Sequence, residues 1–212
     1  MTQEQQDYFD QLSPTHPDPA QRIDVYVPVM VEGEILFDGG RRYHANQNGR
    51  IKHIDAAGKN VFEVGGNTGY IAFRLAEQGA NHVLSIDNKD NLIELCNKIK
   101  EVDNVTNVDF LQFDKGYLEQ PDCEIRNHPN FKFDVGLLMS NWHAPLCIHE
   151  LKQYGDYAKV WYVEPTNHDP HYQTREEILA WGENELSQFG EVEFLTYTDY
   201  QHRGMFKLTM NE

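Results

Sequence analysis

The sequence predicts an α/β fold in which a mostly parallel, seven-stranded sheet carries helices on both faces and ends in an antiparallel strand pair. From Lys59 onward, short apolar runs alternate with segments of helical periodicity, a pattern typical of parallel sheets. The last two apolar runs have no helix between them, which indicates the antiparallel pair. A glycine-rich turn at residues 65–69 follows the first run and indicates a ligand site at the edge of the sheet.

Each element is predicted from its local pattern. The apolar runs predict strands near residues 60–64, 83–87, 108–110, 133–139, 160–163, 192–198 and 205–209. Apolar residues that recur on one helical face predict helices near residues 68–78, 89–102, 145–154 and 174–188. The last of these begins with Thr174-Arg-Glu-Glu177, which is typical of a capping box.

The segment before the first sheet strand has a different pattern. Residues 23–31 carry apolar side chains in strand-like alternation, and Gly33 separates them from the apolar run at residues 35–37, which favours a β-hairpin. A short helix is predicted over residues 51–57. We therefore expect residues 21–57 to form a cap on the substrate side of a main domain at residues 58–212.

Composition narrows the possible classes of function. The chain has 212 residues, of which 40% are hydrophobic and 25% are charged, as in an ordinary globular domain. No apolar run is long enough to span a membrane. Residues 1–20 are polar and proline-punctuated, which predicts a mobile arm rather than a signal peptide. Cys96, Cys123 and Cys147 are widely spaced and odd in number, which favours reduced thiols and a cytoplasmic location.

The charge of the chain is strongly acidic, with a formal net value of −16. Such a charge repels phosphate backbones and argues against a nucleic-acid substrate, without excluding a local basic patch. One candidate patch consists of Arg41, Arg42, Arg50, Lys52 and Lys59. Arg41, Arg42 and the neighbouring Tyr43 are predicted to contact an anionic substrate group, although a solvated surface loop explains the same residues.

The glycine-rich turn discriminates between two classes of cofactor. The strand before it carries Glu63, and a second predicted strand ends at Asp87, the spacing at which an acid reaches a ribose hydroxyl in a doubly wound fold. The Gly-x-Gly-x-x-Gly pattern of dinucleotide sites does not fit, because a start at Gly65 would require glycines at Asn67 and Tyr70.

The order of Glu63, Gly65 and Gly69, acid-x-Gly-x-x-x-Gly, resembles motif I of the class I S-adenosylmethionine-dependent methyltransferases. That family usually has another glycine where this chain has Asn67, and asparagine tolerates the left-handed backbone region better than most residues. The resemblance covers roughly residues 58–210. It implies a Rossmann-like fold and S-adenosylmethionine as the cofactor.

The resemblance also implies which residues contact the cofactor. Glu63 would meet its ammonium group, the glycine-rich turn would pass under its amino-acid end and ribose, and Asp87 would accept the ribose hydroxyls. Asn88 and Asp114 would lie at the adenine. Each acid taken singly is also explained as a helix cap or turn residue. The full set of predicted cofactor contacts is Glu63, Gly65, Gly66, Asn67, Thr68, Gly69, Asp87, Asn88, Phe113, Asp114 and Ser140.

Polar side chains after the fourth and fifth predicted strands are candidates for the methyl-acceptor site. Asn141, Trp142 and Glu164 are predicted substrate contacts, because the carboxyl ends of parallel strands face the ligand crevice. His143 is the predicted catalytic base, since an unperturbed imidazole titrates near neutral pH, although a capping or packing role explains it as well. Histidines near these residues raise the question of a metal, but no compact ligand motif occurs and no metal is predicted.

These patterns predict an enzyme that moves a methyl group from S-adenosylmethionine to an oxygen or nitrogen of a small acceptor, with an anionic acceptor as one option. Methylation of RNA or protein is the alternative within enzymes. A catalytically inactive cofactor-binding subunit is the alternative outside them. A small-molecule partner is expected, and these patterns do not determine the oligomeric state.

Overall fold

The computed structural model describes residues 2–11, 27–37, 49–113, 123–166, 172–198 and 203–211. The strands in this part of the chain are β1 Val29–Val31, β2 Glu34–Phe37, β3 Asn60–Val64, β4 His82–Asp87, β5 Val108–Gln112, β6 Phe133–His143, β7 Ala158–Thr166, β8 Gly190–Tyr197 and β9 Gly204–Met210. The α-helices are α1 Gln3–Gln11, α2 Tyr70–Glu77, α3 Asp90–Val102, α4 Cys123–Arg126, α5 Ala144–Tyr154 and α6 Arg175–Trp181. None of these helices is both long and apolar enough to cross a bilayer.

Seven strands form one sheet in the order β5-β4-β3-β6-β7-β9-β8. The pairs β4–β5, β3–β4, β3–β6 and β6–β7 are parallel, whereas β9 runs antiparallel to both β7 and β8. This confirms the predicted mostly parallel sheet and its antiparallel C-terminal pair. The strand order reverses direction at β3, and ligands of open α/β sheets bind beyond the carboxyl ends of strands at such a point.

The core is divided between the two faces of the sheet, because successive side chains of a strand point in opposite directions. Val61 of β3 packs in one cluster with helices α2 and α3, including Leu75 and Leu95. Its neighbour Phe62 packs in the other cluster with α5, including Leu151. The predicted helices on both faces are therefore confirmed.

Two elements extend differently from their predictions. Strand β6 continues to His143, whereas the apolar run predicted an end at Met139. The helix predicted over residues 174–188 begins with the expected capping box, in which Thr174 and Glu177 each accept the other's main-chain N–H. It is α-helical only as far as Trp181, and a π-helical turn follows over Gly182–Leu186.

Two described parts of the N-terminal segment form regular secondary structure. Residues 3–11 form helix α1, and Phe9 is buried in the core, which corrects the mobile arm for this part of the segment. The predicted hairpin is confirmed as the antiparallel pair β1–β2, joined by Glu32 and Gly33, both at positive φ.

The predicted helix at residues 51–57 is wrong. Helical backbone is present at residues 49–51 and gives way to turns. The main-chain N–H of Ile54 donates to the carbonyl of Ile51, and both side chains are buried. Ile51 and Ile54 are three residues apart, so their apolar side chains give the sequence a helical pattern. A single turn is enough to bury both side chains.

Candidate active site

The glycine-rich turn between β3 and α2 has three residues in the left-handed backbone region. Gly65, Asn67 and Gly69 have φ angles of 77°, 52° and 71°. Asn67 therefore adopts the conformation that a glycine would adopt there, as predicted. The main-chain N–H groups of Gly65 and Gly66 both donate to the carbonyl of Ile86, at 2.7 and 3.1 Å, which ties the turn to the end of β4.

Packing within the protein explains two of the turn glycines. A Cβ on Gly66 would lie 1.9 Å from Ser85 Oγ and 2.8 Å from Glu63 Oε2. A Cβ on Gly69 would lie 2.7 Å from the ring of Phe110. The sequence argument attributed these glycines to close approach of a ligand. At these two positions, close approach of neighbouring side chains already requires glycine.

Asp87 connects the end of β4 to the glycine-rich turn. Its Oδ2 accepts the main-chain N–H of Asn67 at 3.0 Å, and its Oδ1 accepts that of Lys89 at 3.1 Å. An ionised carboxylate has about four acceptor positions, so capacity remains for a pair of ligand hydroxyls. The residue is 8% exposed, and its carboxylate is thus anchored at the sheet edge by main-chain donors.

Glu63 lies beneath the turn and is 3% exposed. Ser85 Oγ donates to Glu63 Oε2 at 2.7 Å, so β3 and β4 are joined by a buried polar pair. Burial raises the pKa of the Glu63 carboxyl to about 7; the Ser85 hydrogen bond and Arg50 oppose this rise, and Asp87 adds to it. A buried carboxylate of this kind is stabilised in its ionised form by a nearby cation.

The other predicted cofactor residues differ in how the protein uses them. Thr68 is buried and its Oγ1 donates to the carbonyl of Pro28, which attaches the turn to the N-terminal hairpin. Asn88 is exposed directly after β4. Phe113 donates its N–H to the carbonyl of Asp87 at 2.8 Å, while its ring packs edge-on against Tyr154.

One polar atom of the turn is buried without a hydrogen-bond partner in the described part of the chain. This atom is Asn67 Oδ1. An orphaned acceptor is costly unless a donor reaches it, and an ammonium or hydroxyl group of a ligand would supply one. The turn, Asp87 and Glu63 therefore fit a ligand with a cationic end and a hydroxyl pair. The predicted adenine contact Asp114 lies outside the described residues.

On the acceptor side, His143 ends β6 and is the N-cap of α5. It is half-buried, pairs with Thr166 of β7, and its side chain makes no capping hydrogen bond. The structure thus brings this imidazole to the same sheet edge as Asp87. The main chain of residues 140–142 continues β6, but the side chains of Ser140, Asn141 and Trp142 lie outside the described part.

Glu164 is the centre of a buried ion-pair cluster that the sequence did not reveal. It is 1% exposed, and Arg50 Nη1 lies 3.2 Å from both of its carboxylate oxygens. Arg203 Nη1 lies 3.9 Å from Glu164 Oε1. The cluster joins the segment before β3, the end of β7 and the start of β9. Its described partners are protein groups, so a substrate contact by Glu164 stays a prediction.

Sequence patterns did not single out the polar partners of Glu63 and Glu164. Ser85 was missed because a serine in an apolar strand carries no signal by itself. Arg50 was noted only as a member of the basic patch, and Arg203 was not noted at all. The predicted cap contacts Arg41, Arg42 and Tyr43 lie outside the described residues.

Comparison with known proteins agrees with this geometry. Residues 55–158, which run from before β3 to the start of β7, match a family model described as a methyltransferase domain. Residues 55–158 therefore form a methyltransferase domain, and the fold of the chain is the Rossmann-like fold of class I methyltransferases. The matched residues include the glycine-rich turn, Glu63 and Asp87. The sequence has no match among proteins with curated descriptions.

Solved structures share the fold of this methyltransferase domain at low sequence identity. The N-terminal domain of EvdMO1 with SAH bound is 16% identical with a TM-score of 0.67, over 100% of this chain and 98% of that one. The bifunctional kinase-methyltransferase WbdD is 16% identical with a TM-score of 0.62, over 95% of this chain and 46% of WbdD. TrmK from M. capricolum in complex with SAH is 11% identical with a TM-score of 0.57, over 78% of this chain and 68% of that one. This chain thus spans about half the length of WbdD.

Proposed function

We propose that this chain transfers a methyl group from S-adenosylmethionine to an oxygen or nitrogen of a small acceptor. The observation that carries the proposal is the anchoring of Asp87 by the left-handed turn, at the point where the strand order reverses. A fixed carboxylate there suits a pair of ribose hydroxyls. When bound, S-adenosylmethionine supplies a methyl group on a positively charged sulfur, which leaves as a neutral thioether.

The residues on the cofactor side contact different groups of the cofactor. Asp87 accepts the ribose hydroxyls through the acceptor positions that Asn67 and Lys89 do not use. Glu63 holds the ammonium end, directly or through water, and is kept in place by Ser85. The orphaned Oδ1 of Asn67 accepts a hydrogen bond from the same end of the cofactor. We place the predicted contacts Asn88, Phe113 and Asp114 at the adenine.

The residues of the acceptor side position the nucleophile. Methyl transfer is an in-line displacement, so catalysis depends mainly on holding the acceptor atom behind the methyl carbon. His143 takes the proton from the acceptor oxygen or nitrogen as the new bond forms. Its position as an N-cap residue whose side chain makes no capping bond leaves the imidazole available for this role. Asn141 and Trp142 follow the same sheet edge and would orient the acceptor.

We also propose that the acceptor carries an anionic group held by Arg41 and Arg42 of the cap, with Tyr43 against its apolar part. The net charge of −16 would otherwise repel such a substrate. The EvdMO1 domain was also crystallised in the presence of SAH and D-fucose, a small polar molecule. This supports a small acceptor. We expect a cytoplasmic location, on the pattern of the cysteines.

The alternatives are disfavoured by specific observations. The acidic charge weighs against RNA, because phosphate contacts supply most of the affinity for nucleic acids. Asn67 stands where the family usually has glycine, and this departure is one reason to consider an inactive subunit. Since Asn67 adopts φ 52°, the departure leaves the turn conformation intact. This removes one of the reasons to consider the chain inactive.

The test is a screen for methyl incorporation from radiolabelled S-adenosylmethionine into separate pools of metabolites, RNA and protein. We expect label in the metabolite pool with the wild-type chain and less label with the Asp87→Ala variant at a limiting cofactor concentration. Label in RNA or protein alone would replace the small-molecule proposal. Cofactor binding without label in any pool would favour the inactive subunit.

A further inference from the structure

A cluster of two histidines and an aspartate lies at the edge of the sheet opposite to the cofactor edge. His82 is the first residue of β4, Asp109 is the second residue of β5, and His128 follows α4. His82 Nε2 and His128 Nε2 lie 3.1 and 3.4 Å from the same oxygen, Asp109 Oδ2. The three ligand atoms all lie within 4.8 Å of one another.

The sheet brings the first two of these residues to one face. Leu84 of β4 is paired with Asp109 of β5, and His82 lies two residues before Leu84, so alternation places His82 and Asp109 on the same side. His128 reaches them from the segment between α4 and β6, and its ring centroid is 5.1 Å from that of His82. Three separate segments of the chain therefore converge on one carboxylate oxygen.

We propose that His82, Asp109 and His128 bind a divalent transition metal of the zinc class through His82 Nε2, Asp109 Oδ2 and His128 Nε2. Imidazole and carboxylate are the donors that zinc takes besides thiolate. Metal–ligand distances of about 2.0–2.2 Å in a tetrahedron separate the ligand atoms by about 3.3–3.5 Å. The two nitrogen–oxygen distances lie close to that range before any adjustment. Water would complete the shell, as Asp109 is 42% exposed at its side chain.

The polar atoms around the cluster suit this proposal. His82 Nε2 is buried and makes no hydrogen bond within the described residues, although Asp109 Oδ2 is 3.1 Å away. Lys100 Nζ holds the other oxygen of Asp109, Oδ1, at 2.8 Å, which orients Oδ2 toward the histidines.

One hydrogen bond changes when the metal binds. The main-chain N–H of Asn130 donates to His128 Nδ1 at 3.2 Å, so the neutral ring carries its proton on Nε2 and faces Asp109 with it. Coordination through Nε2 requires this proton to move to Nδ1, and the Asn130 bond is given up. Metal binding should therefore change the environment of the Asn130 main-chain N–H. This change can be observed independently of the binding affinity.

This site is separate from the methyl-transfer site. His82 and Asp87 are the two ends of β4, and five residues of extended strand span about 17 Å. The metal would join the amino-terminal ends of β4 and β5 to the segment that follows α4. Its role is therefore structural, to hold these three segments together. It takes no part in the proposed transfer chemistry, and its failure would leave the proposed function untouched.

The experiment uses chelator-treated protein titrated with Zn²⁺ in a calorimeter, and with Co²⁺ as an absorbing substitute. We expect a single Zn²⁺ per chain and visible Co²⁺ bands of a four-coordinate site. The melting temperature should rise by about 5–10 °C at a hundredfold excess over the dissociation constant. In amide NMR, the Asn130 signal should shift on titration, because its hydrogen bond is lost.

Two variants and a matched control decide the outcome. Asp109→Asn keeps the shape of the side chain and should weaken Zn²⁺ at least about tenfold; H82A/H128A should abolish binding. The control H53A/H149A also removes two imidazoles and should bind Zn²⁺ like the wild type. No Zn²⁺ binding by the wild type, equal binding by Asp109→Asn, or loss of binding in the control would each overturn the proposal. Should H82A/H128A fail to fold by circular dichroism, the Asp109→Asn titration decides.

Discussion

The main-chain N–H of Asn67 donates to the carboxylate of Asp87 at 3.0 Å, across twenty residues of sequence. This bond joins the glycine-rich turn after β3 to the end of β4. It exists because Asn67 adopts a left-handed conformation, which directs its N–H toward the neighbouring strand end. The turn and the acid that we propose for cofactor binding are therefore one hydrogen-bonded unit.

Asp87→Ala should weaken S-adenosylmethionine binding by about 1–3 kcal/mol, because a charged acceptor of hydrogen bonds is removed. Calorimetric titration measures the change. Asp103→Ala is a matched control, since Asp103 also accepts a main-chain N–H, that of Glu32 at 2.7 Å, but lies after α3. Equal losses in the two variants would mean that Asp87 acts only on the fold.

Cofactor binding should release a proton near pH 7 if Glu63 meets the ammonium group. The folded pKa of Glu63 is raised to about 7 from 4.5, so the carboxyl is partly protonated there, and a nearby cation favours ionisation. Calorimetry in buffers of different ionisation enthalpy counts the proton. Glu63→Gln should abolish the release, and a wild-type heat independent of buffer would refute the contact.

The same shift predicts how stability depends on pH. Because the folded pKa is the higher one, the stabilisation from the protonated Glu63 is fully present below about pH 4.5 and is lost as pH rises through about 7. Urea denaturation of wild type and Glu63→Gln across this window should show a steeper decline for the wild type. Parallel curves would place the pKa of Glu63 near its ordinary value.

His143→Ala should lower the methyl-transfer rate by about 10²–10⁴-fold at saturating acceptor, while cofactor affinity stays near that of the wild type. The reason is loss of the base that removes the acceptor proton. His149, exposed on α5, supplies the control variant His149→Ala, which should be fully active. A near-normal rate for His143→Ala would leave that residue with a packing or orienting role.

Arg50→Met should destabilise the fold by about 3 kcal/mol, because it removes one partner of a buried ion pair and leaves the Glu164 carboxylate in the interior. Denaturant unfolding measures this loss. Arg74→Met breaks the more exposed pair with Glu77 and should cost only about 0–1 kcal/mol. Equal effects of the two substitutions would mean that the buried ion pair contributes no more to the free energy of unfolding than the exposed one.

Changing Arg41 and Arg42 together to Gln should raise the acceptor's KM and leave cofactor affinity unchanged, if these arginines grip an anionic group. Added salt should raise the KM of the wild type more than that of the double variant, because screening and mutation remove the same attraction. Steady-state kinetics at two ionic strengths checks both points. The same KM and salt response in both proteins would end the anionic-acceptor proposal.

Features that depend on neighbouring residues in the sequence were predicted well. The glycine-rich turn, the left-handed tolerance of Asn67 and the capping box of Thr174 depend on neighbours within a few positions, so their patterns are legible in the chain itself. The helix at residues 51–57 failed because burial of Ile51 and Ile54 imitates a helical face. Whether such side chains are buried depends on distant parts of the fold, which a local sequence pattern does not contain.

The sequence by itself determined the alternation of strands and helices, the antiparallel end of the sheet and the position of the glycine-rich turn, because hydrophobic period and glycine placement act locally. Only the tertiary structure decided which distant side chains meet. Arg50 and Glu164 are 114 residues apart, and Thr68 meets Pro28 over 40 residues. The cluster of His82, Asp109 and His128 likewise depends on strand order. Such contacts depend on the path of the whole chain, since the free energy of pairing buried polar groups is gained only when the sheet has brought them together.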